Sequence, residues 1–125
     1  MTRRALILFG HGARDARWAE PFVRLQMLLR GLMPNVPVEL AFLELMTPSL
    51  PEIVARLVRD GCDSINVVPV FFGQGGHVLR DLPLIAERLR LEYPALDLQL
   101  AKAVGEDEGV LRSIAAYCVS TLHAE

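Results

Sequence analysis

The sequence predicts an α/β fold: a single doubly wound domain whose four-stranded parallel sheet carries helices on both faces. Three observations lead there. Short apolar runs without polar alternation recur along the chain, as strands covered on both sides require. Each run is followed by a loop and then by an amphipathic segment at helical spacing, an alternation that builds parallel sheets through right-handed crossovers. The 125 residues are 52% hydrophobic and 22% charged, enough to close one core without disulfide staples. One domain over residues 1–125 is expected, with no linker or low-complexity stretch dividing it.

The elements follow in order. "RALILF" (4–9) is the first strand. A helix from about Trp18 to Met33 comes next, with Phe22, Leu25, Leu29 and Leu32 at helical spacing and Asp15 as a cap before it. "VELAFLEL" (38–45) is the second strand. Ser49 and Glu52 in "SLPE" form an S-x-x-E capping box, with Pro51 tolerated in the first turn. Ile53, Leu57 and Val58 mark the buried stripe of that helix, and Gly61 ends it. "SINVVPVFF" (64–72) is the third and most apolar strand, followed by a helix from about Val78 to Leu91 that stops before Pro94. "LDLQLAKA" (96–103) alternates more than the others and suits an edge strand. A last helix over about 107–122 leaves a polar tail.

Several function classes fall away at this point. A net charge of −2 advertises no nucleic-acid partner. The longest apolar runs are far too short for a membrane span, and no charged-then-apolar leader is visible. Cys62 and Cys118 stand apart without a CxxC pair, so a reduced, cytoplasmic protein with two packing thiols is expected. Of the 13 basic residues all but Lys102 are arginine, and Arg3, Arg4, Arg14 and Arg17 crowd the N-terminal fifth. Arginine forks onto carboxylates and phosphates in a way lysine does not.

In a doubly wound fold the ligand sits outside the carboxyl ends of the strands, which directs the search to four loops. They read "GHGARD" (10–15), "ELMTPS" (44–49), "GQGGHVLRD" (73–81) and "VGEDEG" (104–109). Two of the three histidines fall here, each after a strand and glycine: His11 and His77. A dinucleotide fingerprint fails, because the third glycine position is Val78 from Gly73 and Asp15 from Gly10. A phosphate loop needs G-K-[ST], and Lys102 is the sole lysine. A phosphohistidine phosphatase presents its nucleophile in R-H-G, and Gly10 occupies the arginine position. Metal is the stronger alternative. Imidazole suits divalent first-row ions, glycine-flanked loops let a ring project into a cleft, and two histidines make an open site rather than a closed structural one. Glu44 in "FLEL" is the nearest carboxylate candidate, with a salt bridge at the sheet rim as its plain structural reading.

Taken together, "GHGARD", "AFLELMTPSL" and "VPVFFGQGGHVLRDLP" resemble the short CbiX-type sirohydrochlorin chelatases, within the class II tetrapyrrole metal chelatases. The resemblance spans the whole chain. Its most specific part is the P-x-F-x-x-x-G-x-H-x-x-x-D-x-P block. It implies half of a two-lobed chelatase fold working as a homodimer with the site between subunits. It also implies a lyase-class enzyme without organic cofactor that places a divalent ion, cobalt first, nickel or iron next, into sirohydrochlorin. His11 and His77 would then bind metal and take up pyrrole protons, with Glu44 as auxiliary ligand or proton acceptor. Arg14, Arg17 and Arg80 would grip the carboxylates of the macrocycle. Phe72 and Val78, with Leu79, are candidates for its faces, and Phe71 reads more readily as core. The chain departs from the family pattern at Ala13, where serine is common, and in "VGEDEG", where many members carry a histidine. A metal- or tetrapyrrole-binding carrier without turnover fits the same residues.

Overall fold

The computed structural model describes residues 2–73 and 76–123, and the side chains of 76–79 lie outside that description. Among the described residues, strands β1 (Arg4–Gly10), β2 (Val38–Phe42), β3 (Ser64–Pro69) and β4 (Asp97–Leu100) form one parallel sheet in the order β2-β1-β3-β4. Each strand leads to a helix: α1 (Glu20–Leu32), α2 (Leu50–Arg59), α3 (Gly76–Glu92) and α4 (Glu108–Thr121). Short 3-10 turns at Ala16–Ala19 and Val104–Glu106 precede the first and last of these.

Register sorts the core, because side chains at paired positions of a parallel sheet share a face. Ala5, Ile7, Phe9, Ile65, Val67 and Leu98 form one face and pack under Ile53, Val54 and Leu57 of α2 and Leu82, Ala86 and Leu89 of α3. Ile7, Phe9, Val54 and Ile65 are wholly buried. At about 1.5–3 kcal/mol for each fully buried large apolar side chain, this layer dominates the stability of the fold. The capping box forms as expected: Glu52 N–H donates to Ser49 Oγ (3.3 Å) and Ser49 N–H donates to Glu52 Oε1 (2.9 Å).

The opposite face is covered unevenly. Along the row Val38–Leu6–Asn66–Gln99, Val38 is buried, Leu6 half-buried, and Asn66 and Gln99 exposed. Helix α1 is the cause. Its Phe22 packs edge-on against Phe42, and its Gln26 and Arg30 donate to the Val38 carbonyl at 2.8 and 2.9 Å. Those bonds hold it over β2, while Asn66 of β3 and Gln99 of β4 stay exposed on that side.

Several elements differ from the sequence reading, each for a local reason. The first helix starts at Glu20 rather than Trp18, and Asp15 caps the preceding 3-10 turn by accepting from Arg17 N–H (2.9 Å). Leu32, expected in the buried stripe, is the last residue of α1 and is 77% exposed. Strand β2 ends at Phe42, not residue 45, since the chain bends at once beyond it. Pairing of β3 ends at Pro69, three residues short of the expected end, as the chain turns off the sheet toward the 104–106 turn. Helix α3 begins at Gly76 and carries Pro83 inside it. Cys62 is a buried packing thiol, its pKa pushed up mainly by burial, whereas Cys118 is exposed.

Candidate functional site

The strand order reverses between β1 and β3: the chain steps outward from β1 to β2, then returns across β1 to β3. That switch point opens a crevice at the carboxyl ends of the two strands. The loops after β1 and β3 leave from its two sides. Phe9 pairs with Pro69, and Val70 N–H donates to the Phe9 carbonyl (2.8 Å), so "GHG" and "FFG" start side by side. The first and third strands are therefore neighbours.

On the β1 side the structure brings His11 and Glu44 together, with His11 Nε2 and Glu44 Oε1 3.0 Å apart. The side chains are 42% and 46% exposed, so the pair is open to a ligand. Its position follows from the backbone. Beyond the last paired residues, Gly10 and Phe42, the ladder continues as two cross-loop bonds: Leu43 N–H donates to Gly10 O (2.9 Å) and Glu44 N–H to His11 O (3.1 Å). Glu44 is thus carried to His11 by backbone bonds just beyond the end of the ladder.

Two further features fix that geometry. Gly12 adopts φ +99°, and a Cβ there would stand 1.8 Å from the Glu44 carbonyl oxygen, so only glycine lets the loops approach this closely. Leu45 has φ +66°, and Met46 N–H donates to Glu44 O (2.8 Å) across it, a tight three-residue turn. Leucine in the left-handed region costs on the order of 1–2 kcal/mol. Strain of this kind collects where the surroundings hold a side chain to a task. Here it turns Leu45 outward, 59% exposed, immediately after Glu44.

With the proton on Nε2 donating to the Glu44 carboxylate, the neutral His11 ring has its lone pair on Nδ1. A carboxylate bonded to one imidazole nitrogen orients the ring. The pair therefore offers a nitrogen donor and a proton acceptor within one hydrogen bond.

The other side of the crevice is held differently. Phe71 is half-buried against the core, and Phe72 is 63% exposed. Gly105, in the loop after β4, donates its N–H to Phe71 O (3.2 Å), and a Cβ on it would stand 2.2 Å from Phe72 O. The loop that carries no histidine thus serves as a backbone buttress for the segment leading to His77. His77 and Val78 lie in the first turn of α3, and their side chains fall outside the described residues.

The arginines are less uniform than the sequence suggested. Arg14 is exposed on the turn after His11, and Arg80 is exposed in the second turn of α3. Arg17 spends its guanidinium on Asp15, donating from a terminal nitrogen to Oδ2 at 2.7 Å. That bond holds the Asp15 carboxyl below the usual aspartate range and pushes Arg17 further up. Among the described residues no three His, Cys, Asp or Glu side chains converge on one point. What the described residues offer is a two-residue, open donor set. Sequence reasoning missed Leu45 and the contacts of Gly12 and Gly105. The leucine carries no sequence signal, but the glycines stood in plain view without the segments they meet.

Comparison with known proteins is specific. The family described as CbiX matches residues 5–119. A sirohydrochlorin cobaltochelatase of Sulfurisphaera tokodaii is 30% identical over 84% of this chain and 82% of its own length. A sirohydrochlorin ferrochelatase of Bacillus subtilis is 27% identical over 90% of this chain but 43% of its own length. Among solved structures, a cobalamin (vitamin B12) biosynthesis CbiX protein of Marinobacter aquaeolei VT8 superposes with a TM-score of 0.83 at 32% identity, covering 96% of this chain and 98% of that one. The sirohydrochlorin chelatase SirB of Bacillus subtilis subspecies spizizenii, solved in complex with cobalt, superposes with a TM-score of 0.73 at 25% identity over 95% of this chain and 51% of that one. The chain therefore spans nearly all of some relatives and about half of others.

Proposed function

The chain belongs to the CbiX family, and from that premise we propose that it inserts a divalent metal, cobalt before nickel or iron, into sirohydrochlorin. The observation that carries the reading is the His11–Glu44 pair, held by backbone at the switch point across from the loop that leads to His77. The reaction exchanges two pyrrole protons for one metal ion. It needs a base, a weak metal holder and a grip on the macrocycle.

His11 supplies the first two. A neutral imidazole accepts a proton and also ligates first-row ions. Glu44 accepts the proton in turn and, being half-exposed, passes it to water. His77 plays the matching part from the α3 side. So few protein donors bind the ion loosely enough to release it into the ring. Arg14 and Arg80 grip the carboxylates of the macrocycle. Arg17 joins them only by exchanging Asp15 for a substrate carboxylate. Exposed Leu45 and Phe72, with Val78, offer apolar surface to the ring. No organic cofactor is required, because no electron changes hands.

The enzyme works as a homodimer in which a second copy closes the crevice. Support comes from the relatives of twice the length, in which this chain accounts for about half. One domain of this size is small for covering a macrocycle on both faces.

The test is anaerobic. Purified protein is mixed with sirohydrochlorin and, separately, Co²⁺, Ni²⁺ and Fe²⁺, and insertion is followed by absorbance beside a protein-free control. Acceleration that is lost in His11→Ala and in His77→Ala is the expected result. Tight binding of metal or tetrapyrrole without acceleration by the wild type would overturn the enzyme reading in favour of a carrier.

A further inference from the structure

The backbone at Leu45 is more strained than the turn there demands. Glu44 is tied on both sides: its N–H donates to His11 O (3.1 Å) and its carbonyl accepts from Met46 N–H (2.8 Å). Leu45 is the centre of that three-residue turn, at φ +66°. Of the two forms such a turn takes, the one with positive φ is the rare and strained one. Glycine closes it without strain, and the chain already places a glycine at positive φ against the same carbonyl, Gly12 at +99°. The turn accounts for the placing of Glu44, but not for leucine.

Packing within the chain does not account for it either. Leu43, two residues earlier, is partly buried against the core, and Leu50, at the start of α2, is 1% exposed. Leu45 lies between them in sequence with most of its surface in solvent. A strained residue whose side chain stays exposed recovers little through burial. Among the described residues Leu45 is the sole non-glycine at positive φ, and it adjoins the carboxylate bonded to His11. Such outliers cluster at active sites and ligand clamps.

We propose that Leu45 is a specificity-determining residue: its side chain seats an apolar face of the tetrapyrrole beside the His11–Glu44 pair, and the strained turn holds it there. The inference rests on the tetrapyrrole reading above and assigns one residue's share of the affinity. A flat ligand with an apolar face is the class that fits. The leucine side chain has neither donor nor acceptor, and the carboxylates of the macrocycle go to the arginines. Stability and affinity are therefore set against each other at this one position.

Equilibrium dialysis of the full chain with metal-free sirohydrochlorin, without oxygen, tests it beside urea unfolding. Leu45→Gly and Leu45→Ala both remove the side chain, and only glycine relaxes the turn. Both should raise the dissociation constant roughly 10-fold or more, as loss of a covered apolar side chain does. Leu45→Gly should nevertheless unfold at a higher urea concentration than Leu45→Ala, because alanine still meets the positive φ. Leu45→Met, apolar and adaptable, should restore most of the affinity. The loss should be as large at high salt as at low, since an apolar contact is not screened. Wild-type affinity in either truncation overturns the proposal, and so does a loss that Leu45→Met shares or that salt abolishes. An alanine variant more resistant to urea than the glycine variant also overturns it, since the turn would then carry no strain. Tight binding by the wild type without metal insertion would instead count against the chelatase reading alone.

Discussion

The two halves of the chain are built from the same repeat but finished differently. In the first half, α2 buries Leu50, Ile53, Val54 and Leu57, and the site pair His11–Glu44 is zipped by backbone bonds from one strand end to the next. In the second half, β4 is a four-residue edge strand and α4 buries nothing. The first half is complete in one chain. The second carries a helix with no buried residue, although most helical stability in proteins comes from packing rather than propensity.

The largest effect that sharpens this contrast is a pair of truncations. Ile53→Ala should cost about 2–5 kcal/mol in urea unfolding, as removal of a buried aliphatic side chain does. Leu111→Ala, at concentrations where the chain is single, should stay within about 0.5 kcal/mol. Equal costs would break the distinction. A second pair sets the two close-approach glycines against each other. Gly12→Ala should lower the rate of metal insertion roughly 10- to 100-fold, because it forces Glu44 from His11 and meets a positive φ as well. Gly105→Ala should also lower it, but less, since its φ lies outside the left-handed region and it displaces Phe72 rather than the pair itself. Insertion rates measured with urea curves alongside separate displacement from simple unfolding.

Smaller still is the loss of a cap. Ser49→Ala removes half of the box that starts α2 and should cost about 1 kcal/mol, read from the urea midpoint. Smallest is the acid response that the halves share. Glu52 is held below the usual glutamate range by hydrogen bonds with Ser49, its backbone N–H first. Asp107, at the start of α4, is held below the aspartate range first by Val110 N–H. Folded pKa values lowered in this way add stability above the ordinary carboxylate range, and that stability is lost as pH falls through the folded values. A urea midpoint that declines below that range, with the decline reduced in Glu52→Gln, is the expected outcome.

Much of this was legible in the residues. Four apolar runs, the S-x-x-E box and the two glycine-flanked histidines are local patterns, and local patterns fix strands, caps and loops. Glu44 was legible as a carboxylate at a strand end, though not as the hydrogen-bond partner of His11. That pairing depends on Gly12 touching a carbonyl more than thirty residues away, which no window of sequence contains. Leu32 fits a helical stripe perfectly well and is nevertheless exposed, as the last residue of α1. The same holds for α4, whose period is clear although none of its residues is buried.

One detail of the aromatic packing has an experimental use. Trp18, the single tryptophan of the sequence, stands half-buried in the 3-10 turn after His11, its ring 4.7 Å from Phe22 and 6.2 Å from Phe42. Phe42 in turn donates its N–H to Pro48 O, at the far end of the loop that carries Glu44. The indole is therefore coupled to both loops of the pair, and its emission comes from one place only. A conjugated macrocycle seated there absorbs at the wavelengths where indole emits, so the protein contains its own fluorescent gauge of substrate arrival, readable without a label and before any metal is added.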